Sequence, residues 1–189
     1  AALTTIGPVW DGNEVWLVAA IGATFAAFPD WYAALLSGLY LPMVIILLAL
    51  AGRGVALEFR GKKDDPIWRR RCERVLAACS LLCAAAFGGL LGVLPGGLAI
   101  GADGEVAAGA GGALARTLAV VAQPGALVGA GAGVLTACLL GGTYLALRTT
   151  GPVRVRARMI VQPLAAALVA LVALGAVTGV VRWLPATVV

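Results

Sequence analysis

Long apolar runs almost free of charge, separated by two short blocks dense in arginine and lysine, leave this chain few ways to fold. The runs cover about residues 14–28, 31–52, 75–94, 124–147 and 159–183, and the basic blocks are Arg53–Arg74 and Arg148–Arg158. Hydrocarbon offers backbone N–H and C=O groups no water, so a run of this kind must satisfy them within itself, as a helix does. A crossing takes about 20 apolar residues. The pattern therefore predicts an all-α fold: one polytopic transmembrane helical bundle with five membrane-spanning helices. A soluble domain is excluded on the same grounds. Apolar residues make up 61% of the chain and charged residues 12%, against about 45–50% and 25% for average soluble domains, and a soluble helix carries charge along its outer face.

The charge of +5 does not point to nucleic acid. Twelve of the 14 basic residues lie in the two short blocks, where the positive-inside rule accounts for them, and no nucleic-acid-binding signature accompanies them. The same rule predicts both blocks, 53–74 and 148–158, to be cytoplasmic. The Pro29 turn, the Gly/Ala-rich stretch from Pro95 to Gln123 and the end near Trp183 and Pro185 then lie outside. Asp103 and Glu105 make the Gly/Ala-rich stretch mildly acidic, and Leu114–Val121 reads as a short interfacial helix.

Within the spans, the signals are local. Asp11-Gly12-Asn13 reads as a turn or helix N-cap, with Asp11 or Asn13 accepting backbone N–H groups. The first run is short, and residues near Asp11 would complete it. At Phe28-Pro29-Asp30-Trp31-Tyr32, Pro29 ends one helix and Asp30 caps the next. Pro42 is expected to kink the 31–52 span or free a carbonyl in it. Gly129 and Gly133 form a GxxxG, a pattern that lets helices approach closely. Cys72, Cys79 and Cys83 fall on one helical face. With no His and no CxxC they read as small packing residues, not as metal ligands. No basic n-region precedes the first run, so no signal peptide is read there, and the chain, which does not begin with Met, reads as a piece of a longer protein.

Chemistry is expected at the rims. Asp11 and Glu14 precede the first run, and Arg53, Glu58, Arg60 and Lys62 follow the second. Carboxylates at the edge of hydrocarbon are costly and usually functional. Asp11 has two open readings: a surface cap, or a proton-transfer carboxylate screened from water by Trp10 and Trp16. Glu58 and Lys62 stand at i,i+4, as in an ordinary surface ion pair; the other reading is a titratable group at the mouth of a proton path. The span centres carry no charge, which argues against a proton-coupled transporter. A purely structural membrane subunit remains the other alternative.

The block Trp10-Asp11-Gly12-Asn13-Glu14-Val15-Trp16, followed by Gly22-Ala23-Thr24-Phe25-Ala26-Ala27-Phe28-Pro29, then Tyr32-Ala33, Ser37-Gly38 and Tyr40, resembles subunit II of the cytochrome bd quinol oxidases. Arg53-Gly54-Val55-Ala56-Leu57-Glu58-Phe59-Arg60-Gly61-Lys62 continues the likeness, as do Gly142-Thr143-Tyr144-Leu145, Arg148-Thr149 and Arg156-Ala157-Arg158. The resemblance implies a bacterial inner-membrane quinol:oxygen oxidoreductase. Its subunit I, the expected partner, holds haem b and haem d and the quinol site; membrane lipid is expected as a partner on other grounds, since Asp64, Asp65, Glu73 and the run Arg69–Arg71 read as a solvated loop suited to anionic head groups. Subunit II, the kind seen here, binds no cofactor or metal, stabilises the complex and contributes to the cytoplasmic proton path. It implies proton-path roles for Asp11, Glu58 and Lys62, with Arg53 as electrostatic partner. Some family members carry Asp where this chain has Glu58. The likeness further implies that the chain holds the second to sixth helices of that subunit, without its first helix and its second half.

Overall fold

The computed structural model describes residues 2–96 and 112–177. The described residues form helices and short connections, with no strand among them. The helices are α1 (Ala2–Ile6), α2 (Trp10–Ala27), α3 (Pro29–Gly38), α4 (Tyr40–Phe59), α5 (Pro66–Val93), α6 (Gly112–Val121), α7 (Pro124–Arg148) and α8 (Pro152–Val177). A 3-10 turn, Leu94–Gly96, follows α5. The end of the fifth predicted span, with Trp183 and Pro185, lies outside the described residues, as do Asp103 and Glu105.

Four helices, α4, α5, α7 and α8, are long and apolar enough to cross a membrane. The 20 residues of α4 give a rod of about 30 Å, the thickness of the hydrocarbon core. A fifth candidate exists only as a composite, α2 with the first part of α3, which meet at a bend of 118°. At that elbow Phe28 donates its N–H to Thr24 O at 2.9 Å, Pro29 opens α3, and the rings of Phe25 and Tyr32 meet edge to face at 5.2 Å. Asp30 does not cap α3, contrary to expectation. Phe28 holds the cap position and Asp30 falls in the first turn, where its charge still suits the positive end of the helix.

The stretch expected to be one kinked span over 31–52 is two helices broken at Leu39. The break has a physical reason. Proline lacks the N–H that a helix interior needs, but the first four N–H groups of a helix have no intrahelical partner. Starting α4 at Tyr40 puts Pro42 in that first turn, where the missing donor costs nothing. Leu39 itself is driven inward, 1% exposed, into a cluster with Val93, Val120 and Ala126.

The bundle is centred on α5, which packs against α4 on one side and α7 on the other; α8 packs on α7. The contact between α5 and α7 is backbone on backbone. Gly88 and Gly92 of α5 lie against Gly125, Gly129 and Gly133 of α7, so the expected GxxxG at Gly129 and Gly133 meets a second one on α5. The cysteine face of α5 turns to α4: Cys79 Sγ sits against Gly52, and Cys83 Sγ lies 3.9 Å from Ile46 O. The segment 114–121 is helical as part of α6, and its Thr117 and Val120 are buried.

The two ends of the bundle differ. Leu39, Val93, Val120 and Ala126 close one end with apolar side chains. The other end gathers the start of α2, the end of α4, the start of α5, the end of α7 and the start of α8, and so both basic blocks. These blocks are largely helical: α4 runs on through Arg53 to Phe59, and α8 begins at Pro152.

A carboxylate–arginine junction as the candidate functional site

Helix α2 carries one half-buried stripe, Trp10, Glu14, Leu17, Ile21 and Thr24, buries no residue fully, and meets α4 through Trp10 and Glu14. The alternating spacing of four and three is that of a helix packing along a single seam. The buried stripe of α4 is Pro42, Ile46, Ala49 and Ala56. Arg53 occupies the position that the same spacing assigns between Ala49 and Ala56. It is an arginine on the inward face of an apolar helix, and such a charge needs a partner.

Glu14 is that partner. One oxygen, Oε1, accepts both Arg53 Nη2–H at 2.7 Å and Nε–H at 3.1 Å. The side chains are 29% exposed for Arg53 and 25% for Glu14. This shields the pair from water more than a surface bridge and strengthens the charge-assisted bonds. Beside it the Trp10 ring lies over Gly54: a methyl placed on Gly54 would fall 3.5 Å from Trp10 Cζ3. Together these contacts fasten the start of α2 to the lower part of α4.

The sequence-predicted residues surround this junction but do not form it. Asp11 lies in the first turn of α2, off the inward stripe, and is exposed. Neither Asp11 nor Asn13 caps the helix, because α2 begins earlier, at Trp10, after an uncapped Val9. Trp10 and Trp16 do not jointly screen Asp11: Trp10 is turned to Gly54, and Trp16 is 76% exposed. Glu58 stands one turn beyond Gly54, on the outward face of α4, and is exposed. The expected Glu58–Lys62 pair does not form among the described residues. The helix stops at Phe59, and the Lys62 N–H closes a turn on Phe59 O at 3.1 Å, so the i,i+4 spacing is lost. Arg53 is taken by Glu14, not by Asp11 or Glu58. Sequence reasoning noted Glu14 at the rim without giving it a role. The signal was present: the 4-3-4-3 spacing from Trp10 through Thr24 puts Glu14, and not Asp11, on the seam.

The corner between α4 and α5 is fastened separately. Arg60 binds Glu73 through Nε at 2.9 Å and Nη2 at 2.6 Å. Arg69 pairs with Asp64, Trp68 Nε1 donates to Phe59 O at 2.9 Å, and Lys63 lies over the Trp68 ring. Asp65 caps α5 by accepting the Ile67 N–H at 2.9 Å. Across the end of the bundle, Tyr144 of α7 donates its hydroxyl to Thr5 O of α1 at 3.0 Å. Among the described residues no three His, Cys, Asp or Glu side chains converge to hold a metal ion. The arrangement is thus a rim of ion pairs and exposed carboxylates, with one of the pairs tying the start of α2 to α4.

Residues 1–189 match the family of the cytochrome bd terminal oxidase subunit II over their whole length. The chain is 54% identical over 101 residues to the cytochrome bd ubiquinol oxidase subunit 2 of Bacillus subtilis, covering 53% of this chain and 30% of that protein. It is 45% identical over 92 residues to a probable cytochrome oxidase subunit 2 of Haemophilus influenzae, 49% of this chain and 24% of that one. It is 35% identical over 173 residues to the cytochrome bd-I ubiquinol oxidase subunit 2 of Escherichia coli, 90% of this chain and 43% of the other. The chain therefore spans less than half the length of these curated relatives. An all-helical multi-pass architecture, a charged rim built on the Trp10–Trp16 block and a family match that leaves no residue out agree: the chain belongs to the cytochrome bd terminal oxidase subunit II family.

Proposed function

We propose that this chain is part of the non-haem subunit of a bd-type quinol:oxygen oxidoreductase in the bacterial inner membrane. In this reading it stabilises a haem-bearing subunit I and helps deliver protons from the cytoplasmic side. Haem b, haem d and the quinol site belong to that partner, and the two basic blocks face the cytoplasm. The names of the relatives support the oxidase reading, and the basic bias of one end supports the orientation.

The observation that carries the proton-path reading is the junction. By joining Glu14 to Arg53 and Trp10 to Gly54, it brings Asp11 and Glu58 to the same end of the bundle. Both are exposed, so both can take protons from water. Glu14 occupies Arg53, so this guanidinium does not fix either carboxylate in place. Arg53 acts on the path by positioning α2, and Lys62, in the turn after α4, adds positive charge at the entrance.

The test uses the full-length subunit assembled in its complex. Asp11→Asn and Glu58→Gln should each slow quinol-driven oxygen uptake, the double variant by roughly ten-fold or more, with the haem spectrum unchanged. Full turnover in the double variant leaves only the stabilising role. Loss of the haem bands in either single variant would instead make these carboxylates structural.

A further inference from the structure

The rim holds more positive charge than its acids can neutralise. Glu14, Glu73 and Asp64 are committed to Arg53, Arg60 and Arg69, and Asp65 caps α5. Arg70, Arg71 and Arg74 are exposed, and among the described residues no carboxylate pairs with them. Arg70 and Arg74 are i,i+4 neighbours, whose like charges repel.

Their place on α5 follows from its unbroken helix. Arg70 stands five turns before Gly88, and Arg74 five turns before Gly92, so each shares the direction of that glycine. Gly88 and Gly92 are the residues that touch α7. The arginines therefore lie on the α7 side of α5, opposite the cysteine face that meets α4. The antiparallel end of α7 supplies a further cation, Arg148, over the Tyr144 ring at 5.9 Å. Exposed apolar side chains continue the same face: Leu147 on α7 is 77% exposed, and Leu81 on α5, two turns beyond Arg74, is 47% exposed.

We propose that Arg70, Arg71 and Arg74 of α5, with Arg148 of α7, bind the phosphate headgroup of an anionic phospholipid. The acyl chains of that lipid lie along Leu81 and Leu147. Charge complementarity selects the occupant. Basic residues clustered between transmembrane helices on one side recognise acidic headgroups, guanidinium forks match phosphate oxygens, and no acid among the described residues pairs with them.

The experiment uses the full-length subunit, with the partners it carries, in nanodiscs of phosphatidylcholine containing a minor fraction of phosphatidylglycerol. Native mass spectrometry counts the lipids retained after brief detergent exposure. The unaltered protein should retain phosphatidylglycerol above its share of the bilayer, and raised salt should reduce that excess. Arg70→Gln with Arg74→Gln should lower the excess at least five-fold, whereas Arg156→Gln with Arg158→Gln on α8 should leave it in place. No enrichment in the unaltered protein, or enrichment indifferent to salt, overturns the proposal without any variant having to fold. Equal losses in the two double variants also overturn it, since they would show a diffuse field with no site.

Discussion

Gly88→Ala puts the closest contact of the bundle to the test. A methyl built on Gly88 would fall 2.8 Å from Gly133 Cα and 3.0 Å from Gly133 N, and closer still to the Gly129 carbonyl oxygen. Carbon atoms rest at about 3.5–4.0 Å, so α5 and α7 must part by roughly 0.7 Å or more. All three atoms belong to backbone, and no side chain can swing aside to make room. The neighbouring contact of Gly92 with Gly129 loses its fit in the same movement. Overpacking of this kind costs about 1–3 kcal/mol, and a gap of 0.5–1 Å forfeits about a quarter to a half of each dispersion contact along the seam. The opposing gain, alanine over glycine in a helix, is about 1 kcal/mol. Gly141→Ala isolates that gain, because nothing lies within 4 Å of the added methyl. Thermal unfolding of the full-length protein in detergent should place Gly88→Ala below Gly141→Ala. If the two variants unfold together, close backbone approach does not hold α5 to α7, and the reasoning fails.

Other variants probe the rim. Glu14→Gln removes one charge from the pair with Arg53 and should destabilise by about 1–3 kcal/mol, read as a lower unfolding temperature; Arg53→Lys should lose part of the same stability because an ammonium lacks the fork that reaches one oxygen twice. Gly54→Leu should displace Trp10, seen as a red shift in tryptophan emission, with the rest of the bundle intact. Asp65→Ala removes the cap of α5 and should cost about 1 kcal/mol, while Asp65→Asn should cost less; equal unfolding temperatures for the two would mean that the hydrogen bond to Ile67 N–H contributes nothing.

The parts of the fold readable in advance were those set by solvent alone. The central parts of α5, α7 and α8 are runs without charge, and hydrocarbon leaves such runs one backbone solution. The α3–α4 break was not legible, because it depends on where Pro42 falls relative to a helix start, and that start is fixed by the burial of Leu39. The α5 partner of the Gly129–Gly133 pair passed unnoticed for another reason. In a chain with 26 glycines, spacing alone does not tell a contact from chance, and only the opposing backbone identifies Gly88 and Gly92. At the rim, residue type and position along the chain pointed to the right end of the molecule. They did not settle which acid meets Arg53, since that turns on about 60° of helix rotation between Asp11 and Glu14.

The fastenings at the α4–α5 corner have a bearing on how the chain comes together. Arg60 and Glu73, Arg69 and Asp64, and Trp68 and Phe59 are near neighbours along the polypeptide, so these links can close as soon as the hairpin emerges from the ribosome and enters the bilayer. The glycine seam must wait for α7, more than thirty residues later, and the tie from Glu14 reaches back across 39 residues. The hairpin is therefore the natural first unit of assembly, a preformed wall on which α7 docks from one side while α2 is drawn in from the other.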